Sequence, residues 1–373
     1  MLRISPYCFV LTLAVLIFAT GSGRAEDEVR ELNPVEEAIV VSQETKLMRG
    51  DEAAGGVQPG QLLIFSKAKG EWRYSAEFRG WVNLRDVIPL NKAVAYFSEI
   101  IQKEKTPAAY HHRGIAHAVL GNWNESLADL NEAIKLGEAS SFAFFNRALA
   151  ERALDQRDEA IKDFTQSITL NPNNVRALLE RGDMLLEDGH NEAAMKDYDA
   201  AVEAAPDSAA AHNHRGVGLR MLGRYEEAEA EYTKAIKIAP KYSEAFANRA
   251  YVYCGLGKYK AACADYEQAL EFQPDVAEYQ NDFAWLLATS PEKDLLDGKR
   301  AVQLAESACK QFPEDPDFLD TLAAAHARNG QFDEAVKIAV KALKLLGQTE
   351  DGLGIHERME LYEKKQAYTE VEE

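Results

Sequence analysis

The sequence is poor in the residues that carry covalent or metal chemistry. Four cysteines stand in 373 residues, and Cys8 belongs to an N-terminal run that reads as an export signal, which leaves Cys254, Cys263 and Cys309. An odd number without ligand spacing excludes a disulfide framework and a zinc site. Cys254 and Cys263 straddle a helix turn, so they either pair in an oxidising compartment or sit as two small core thiols; the second is expected. Phosphate-loop, dinucleotide, G-x-S-x-G, H-E-x-x-H and C-x-x-C motifs are all missing. No nucleophile and base can be named, so the expectation is no enzyme, no catalytic residue and no cofactor. Basic charge is also short: 42 Lys and Arg against 61 Asp and Glu give a net charge of −19. Such a surface repels nucleic acid and anionic lipid. His111 and His112 are neighbours, and His212 and His214 nearly so. Adjacent helical residues point apart, and no metal is expected.

Long apolar runs are scarce too. The one candidate is MLRISPYCFVLTLAVLIFATGSGRA, with one basic residue before an apolar core from Cys8 to Ala19 and small residues up to Ala25. This pattern predicts a signal peptide over 1–25, cleaved after Ala25, and an exported chain, periplasmic or secreted. The core is shorter than the roughly 20 residues a membrane span needs. Cys8 precedes the core and is misplaced for a lipid-bearing cysteine. Residues 26–37 read as a linker.

What is present is a period. The chain aligns with itself at 34 residues, as helix-turn-helix repeats do. Gly216, Gly223, Tyr225, Ala228, Tyr232, Ala235 and Pro240 recur one period later as Ala250, Gly257, Tyr259, Ala262, Tyr266, Ala269 and Pro274. Small residues let paired helices approach, the aromatic fills the gap to the next pair, and proline separates pairs. In this register the chain resembles the tetratricopeptide repeat (TPR) family. Seven units are laid out: 107–140, 141–174, 175–208, 209–242, 243–276, 277–315 and 316–348. The first departs from the pattern at Ser126 and Glu138, and the sixth needs about five extra residues around PEKDLLDG, which predicts a longer loop. The implied fold is mainly α, a right-handed TPR α-solenoid.

Arginine recurs with the period at Arg113, Arg147, Arg181, Arg215 and Arg249. Sixteen residues after each comes an acid: Asp129, Asp163, Asp197, Glu231 and Asp265. In the sixth unit both positions turn apolar together (Phe283, Leu304), and so they do in the seventh (Leu322, Ile338). The joint switch predicts five structural ion pairs, each closed within its own unit. Pairing across units would set Tyr96 against Arg113 and Asp265 against Phe283.

Before the units, LNKAVAYFSEIIQKEK predicts a capping helix over 91–106. After them, 349–373 reads as a solvating helix with a frayed tail. From 38 to 90 short β-branched runs alternate with turns, which predicts five or so strands in a small barrel. Its ending, GEWRYSAEFRGWVNLRDVIPL with Gly80, Trp81 and Val82, resembles bacterial SH3-like domains. The proline-peptide groove of eukaryotic SH3 domains is not carried over.

The TPR resemblance implies binding of a protein or peptide partner along a concave face lined by the first helix of each unit. Positions that usually face it hold Phe142, Phe145, Asn146, Arg176, Asn213, Arg220, Tyr251 and Trp285, and also His111, Arg152, His214 and Asn281. Aromatics and arginines are the usual hot spots, although some of these side chains are expected to pack against neighbouring helices instead. The family's carboxylate clamp is matched by Asn146 and loosely by Arg176, whereas Ile115 and Glu180 stand where it needs Asn and Arg. Chaperone-tail capture is therefore not expected. The implied function is an exported, non-enzymatic interaction scaffold without a small-molecule substrate. The alternative is a cell-wall accessory protein targeted to peptidoglycan by its SH3-like domain.

Overall fold

The computed structural model describes residues 30–40, 46–49, 52–56, 62–69, 71–75, 80–83, 87–346 and 350–370; the signal expected over 1–25 lies outside them. Two compact units divide the chain, Met1–Glu187 and Asp188–Glu373.

The first unit opens with β1 (Arg30–Val40), β2 (Lys46–Arg49), β3 (Glu52–Gly56), β4 (Leu62–Lys69), β5 (Trp72–Ser75), β6 (Gly80–Asn83) and β7 (Val87–Pro89). They form one antiparallel sheet in the order β3-β2-β6-β5-β4-β1-β7. Seven strands thus stand where five or so were expected. The first begins at Arg30, inside the span read as a linker. Pro34 masked it: the ladder with β4 is irregular between Glu31 and Glu36, and proline is tolerated where pairing lapses. Alternation along β4 buries Leu63 and Phe65 and exposes Ile64. Ala38, Val82 and Val87 complete this small core.

Helix α1 (Leu90–Lys103) follows directly and buries Leu90, Ala93, Phe97 and Ile101, packing on α2 (Pro107–Val119). Thereafter helices come in pairs. The first unit holds α2 with α3 (Trp123–Lys135), α4 (Ser141–Ala153) with α5 (Arg157–Leu170), and α6 (Val175–Glu187). The second holds α7 (Asn191–Ala204), α8 (Ala209–Met221) with α9 (Tyr225–Ile238), and α10 (Ser243–Gly255) with α11 (Tyr259–Phe272). It continues with α12 (Ala277–Thr289), α13 (Gly298–Gln311), α14 (Pro316–Arg328), α15 (Phe332–Leu346) and α16 (Glu350–Glu363). First helices start at Pro107, Ser141, Val175, Ala209, Ser243 and Ala277, one period apart, and then at Pro316. The late start of the last comes from the loop between α12 and α13, which contains a 3-10 turn at Lys293–Leu295.

Close approach explains the small residues. A Cβ on Gly216 would lie 2.6 Å from the ring of Tyr232, which is fully buried between helices. Side-chain caps start several first helices: Thr106, Ser140 and Ser208 each accept from the backbone N–H three residues on. Within each unit first helices also touch one another, α2 with α4 in the first and α8 with α10, α10 with α12 and α12 with α14 in the second, forming an inner row in each.

The C-terminus differs from the solvating helix and frayed tail read from its charge. Helix α16 packs on α15 and buries Ile355 and Tyr362. Lys365, with φ 58°, turns the chain back so that Tyr368 and Glu370 reach α12. The apolar residues of this segment are few but spaced to meet one face, which a count of charges hides.

Candidate partner-binding face

The arginines recurring with the period build the frame of the face. Arg113 Nε and Nη2 donate to Asp129, both at 2.7 Å. Arg147 meets Asp163 at 2.5 and 2.9 Å, and Arg249 meets Asp265 at 2.7 and 2.9 Å. These are two-pronged contacts inside one helical pair, with buried carboxylates. Hydrogen bonding to Asp163 raises the pKa of Arg147 above its ordinary value, against the opposing effect of burial.

One guanidinium nitrogen of four of these arginines reaches backwards. Arg113 Nη1 donates to Ser98, Arg147 Nη1 to Asn131, Arg181 Nη1 to Thr165 and Arg249 Nη1 to Thr233, at 2.9 to 3.0 Å. Each arginine therefore ties its own helix to the second helix of the pair before it, or to α1. The sequence signal was available, since Asn131, Thr165, Asp199 and Thr233 also lie one period apart, but their mixed side chains mark it less clearly than the uniform acids do. Where Phe283 replaces the arginine, Arg300 of α13 covers the Phe283 ring at 4.7 Å and pairs with Glu267 at 2.7 Å.

Arg215 is a variant of the pattern. Its Nη1 lies 3.5 Å from Glu231, and its Nε 2.8 Å from Asp199. Glu231 is one methylene longer than aspartate, and its carboxylate is occupied by His212 at 2.6 Å and Lys234 at 2.7 Å. Burial pushes the Glu231 carboxyl up, but the bonds from Lys234 and His212 outweigh it and leave the pKa below the usual value. Arg181 lies in the first unit, and Asp197 is buried in the second.

The residues expected on the face divide into three groups. Phe142 and Arg176 stand open, Phe142 at 58% exposure. Phe145 and Asn213 do not. Phe145 is 3% exposed and packs on Phe164, with Arg176 5.0 Å over its ring. Asn213 is fully buried, donating to Glu244 at 3.0 Å and accepting from Asn248 at 3.1 Å. Both are corrected from face to interior: repeat position places a side chain on a helix but not at a depth. Asn146 is taken by His111, whose Nε2 lies 3.0 Å from its amide. Burial, with His112 adding to it, holds His111 down at about 4, so its ring is neutral and accepts this bond. Arg152 pairs with Glu180, and His214 approaches Ala210 O at 2.8 Å.

In the second unit Arg220 lies 4.9 Å over the ring of Tyr251, which is 36% exposed. Beside them is Asp282, pushed up to about 6 by burial, with Glu278 raising it further and a hydrogen bond from Asn281 and the Arg220 charge opposing the shift. Asp282 was missed in the sequence because no partner at a fixed spacing marks it. Trp285 is covered: its indole N–H donates to Glu370 at 2.7 Å, and the Tyr368 ring centre lies 6.1 Å away.

Cys254, Cys263 and Cys309 are free thiols, each with its pKa raised by burial, Cys254 up to about 12. Among the described residues, no group of three or more His, Cys, Asp or Glu is arranged to hold a metal. No helix among them is long and apolar enough to cross a membrane.

Tetratricopeptide-repeat profiles match residues 145–209, 186–243 and 231–264. The chain carries tetratricopeptide repeats. Its fold is that of a TPR solenoid, preceded by the antiparallel sheet. Among solved structures it is similar to a chain of the APC/C hetero-tetramer Cut9-Hcn1, at TM-score 0.56 and 16% identity, over 63% of this chain and 46% of that one. It is similar also to yeast Tom70, at TM-score 0.50 and 19% identity, over 74% of this chain and 59% of that one. The chain therefore spans less than two thirds of either. No curated protein matches it in sequence.

Proposed function

We propose that the chain is an exported, non-enzymatic scaffold that binds a segment of a protein partner along the inner row of first helices of its second unit. The observation that carries the reading is the Arg220–Tyr251 stack, whose tyrosine is exposed on that row with the half-buried Arg220 over it and the Asp282 carboxyl nearby. An arginine held over an aromatic ring is a preorganised anchor, and such residues dominate binding energy at interfaces. The structural neighbour of highest TM-score named above was solved in a hetero-tetramer, which accords with an assembly role. Its test is capture from an extract by the immobilised chain, beside an Arg220→Ala, Tyr251→Ala version. A protein held by the first and lost by the second supports the reading; equal retention by both contradicts it.

Export accounts for the run over 1–25 and is tested by sequencing the N-terminus of the mature chain, expected at Glu26. A peptidoglycan-targeting role for the N-terminal sheet rests on the likeness of its ending to bacterial SH3-like domains. Retention on purified sacculi by the full chain, lost when residues 38–90 are removed, is the result that role requires.

A further inference from the structure

The inner row is already occupied at one end, by the chain itself. After α16, Lys365 takes a left-handed conformation and the segment to Glu370 runs back across the ends of α12 and α14. Its contacts are of the kind that hold a bound peptide. The Glu370 side chain accepts from the Trp285 indole at 2.7 Å, and its backbone N–H donates to Thr289 O at 2.8 Å. Arg328 donates to Tyr368 O at 2.5 Å and to Thr369 Oγ1 at 2.8 Å. The Tyr368 ring stands beside Trp285, and Arg358, itself fixed by a two-pronged bond to Asp320, lies 5.3 Å from one ring and 5.5 Å from the other.

Two features mark this as a site rather than a chance resting place. Trp285 offers a single donor, and a carboxylate fills it; Arg328 binds the tail's backbone, and Arg358, paired with Asp320, lies against the Trp285 and Tyr368 rings. The long loop after α12 also leaves the Ala288 and Thr289 carbonyls at the helix end free to take bonds from Arg328 Nε, at 2.6 Å, and from the tail. The tail turns on a lysine with φ 58°, a conformation that costs a non-glycine residue free energy and weakens its hold.

We propose that Ala367–Glu370 is an intramolecular stand-in for the partner, and that the partner segment is a peptide carrying a tyrosine two residues before a glutamate. This inference rests on the scaffold reading above. Such a peptide enters beside Trp285 when the tail leaves, so the tail sets a threshold for binding. A tethered segment acts at an effective concentration of order millimolar, against which a free peptide must compete.

The test uses the full chain and a fluorescein-labelled peptide of residues 364–370, KKQAYTE. The peptide is expected to bind the Tyr368→Ala, Glu370→Ala chain about tenfold or more tighter than the parent, because the site is vacated. Trp285→Phe added to that chain, or a peptide ending in Gln, is expected to remove most of the gain. Equal affinity for parent and double variant, or no binding to either, overturns the proposal. A second measurement needs no variant: hydrogen exchange at the Glu370 amide of the parent chain is expected to quicken when unlabelled peptide is added in excess. Unchanged protection marks the tail as a fixed cap and overturns the proposal. If the peptide fails while Arg220→Ala, Tyr251→Ala still abolishes capture of a partner, only this inference falls; if both fail, the scaffold reading falls with it.

Discussion

Arg249 meets Asp265 fork to fork across one helical pair and, with its third nitrogen, holds Thr233 of the pair before. One side chain thereby joins two repeats. Its partner carboxylate is buried, so the pair has little solvent to fall back on when broken.

Removing one partner is accordingly expected to cost far more than removing both. Asp265→Leu leaves a half-buried guanidinium without its carboxylate and is expected to lose about 3–5 kcal/mol, while Arg249→Leu with Asp265→Leu is expected to lie near the parent. Chemical denaturation of the two single variants and the double variant closes the cycle. Additive losses would contradict the pairing. The same cycle at Arg215 and Glu231 is expected to show weaker coupling, because Glu231 keeps His212 and Lys234.

A turn residue offers a gain. Gly121, Gly189, Gly223, Gly257 and Gly330 all have positive φ at corresponding turns, and Asp155 takes that place with φ 59°. Asp155→Gly is expected to stabilise the chain by about 1 kcal/mol by relieving the left-handed strain of a side chain. A thermal melt that does not rise would contradict this.

Glu151 supplies a pH dependence. Burial first, and then repulsion from Asp163, push its pKa up to about 7, and its Oε2 has no hydrogen-bond partner. The folded chain therefore holds this proton more tightly than the unfolded chain, and its contribution to stability is present below the ordinary carboxyl value and lost as pH rises through about 7. Glu151→Gln is expected to be near neutral at pH 4 and stabilising by order 1 kcal/mol at pH 8, the figure reduced for solvent screening. Parallel pH profiles for parent and variant would exclude the assignment.

The repeat was legible because packing repeats with the helices. Gly216 against Tyr232 needs a small residue and a large one at fixed spacing, and any sequence that stacks such pairs must show it. The insertion near PEKDLLDG was legible for the same reason, as a break in register. Depth was not legible. Phe142 and Phe145 lie one turn apart on α4, yet one is open and the other sits in the core, and only the neighbouring pair decides which. The tail over Trp285 was hidden because it belongs to no period: a contact across 85 residues between a unique segment and one repeat has no sequence echo. Pro34 concealed β1 by a different route, through a local preference that the sheet overrides with an irregular ladder.

The scaffold claim is tested most directly by site-specific photo-crosslinking in the producing cells. A photoreactive phenylalanine is placed at Tyr251 on the inner row in one chain and at the exposed Lys337 of a second helix in another. The account predicts a discrete crosslinked protein from position 251 and none from 337. The same adduct from both positions, or from 337 alone, would contradict it.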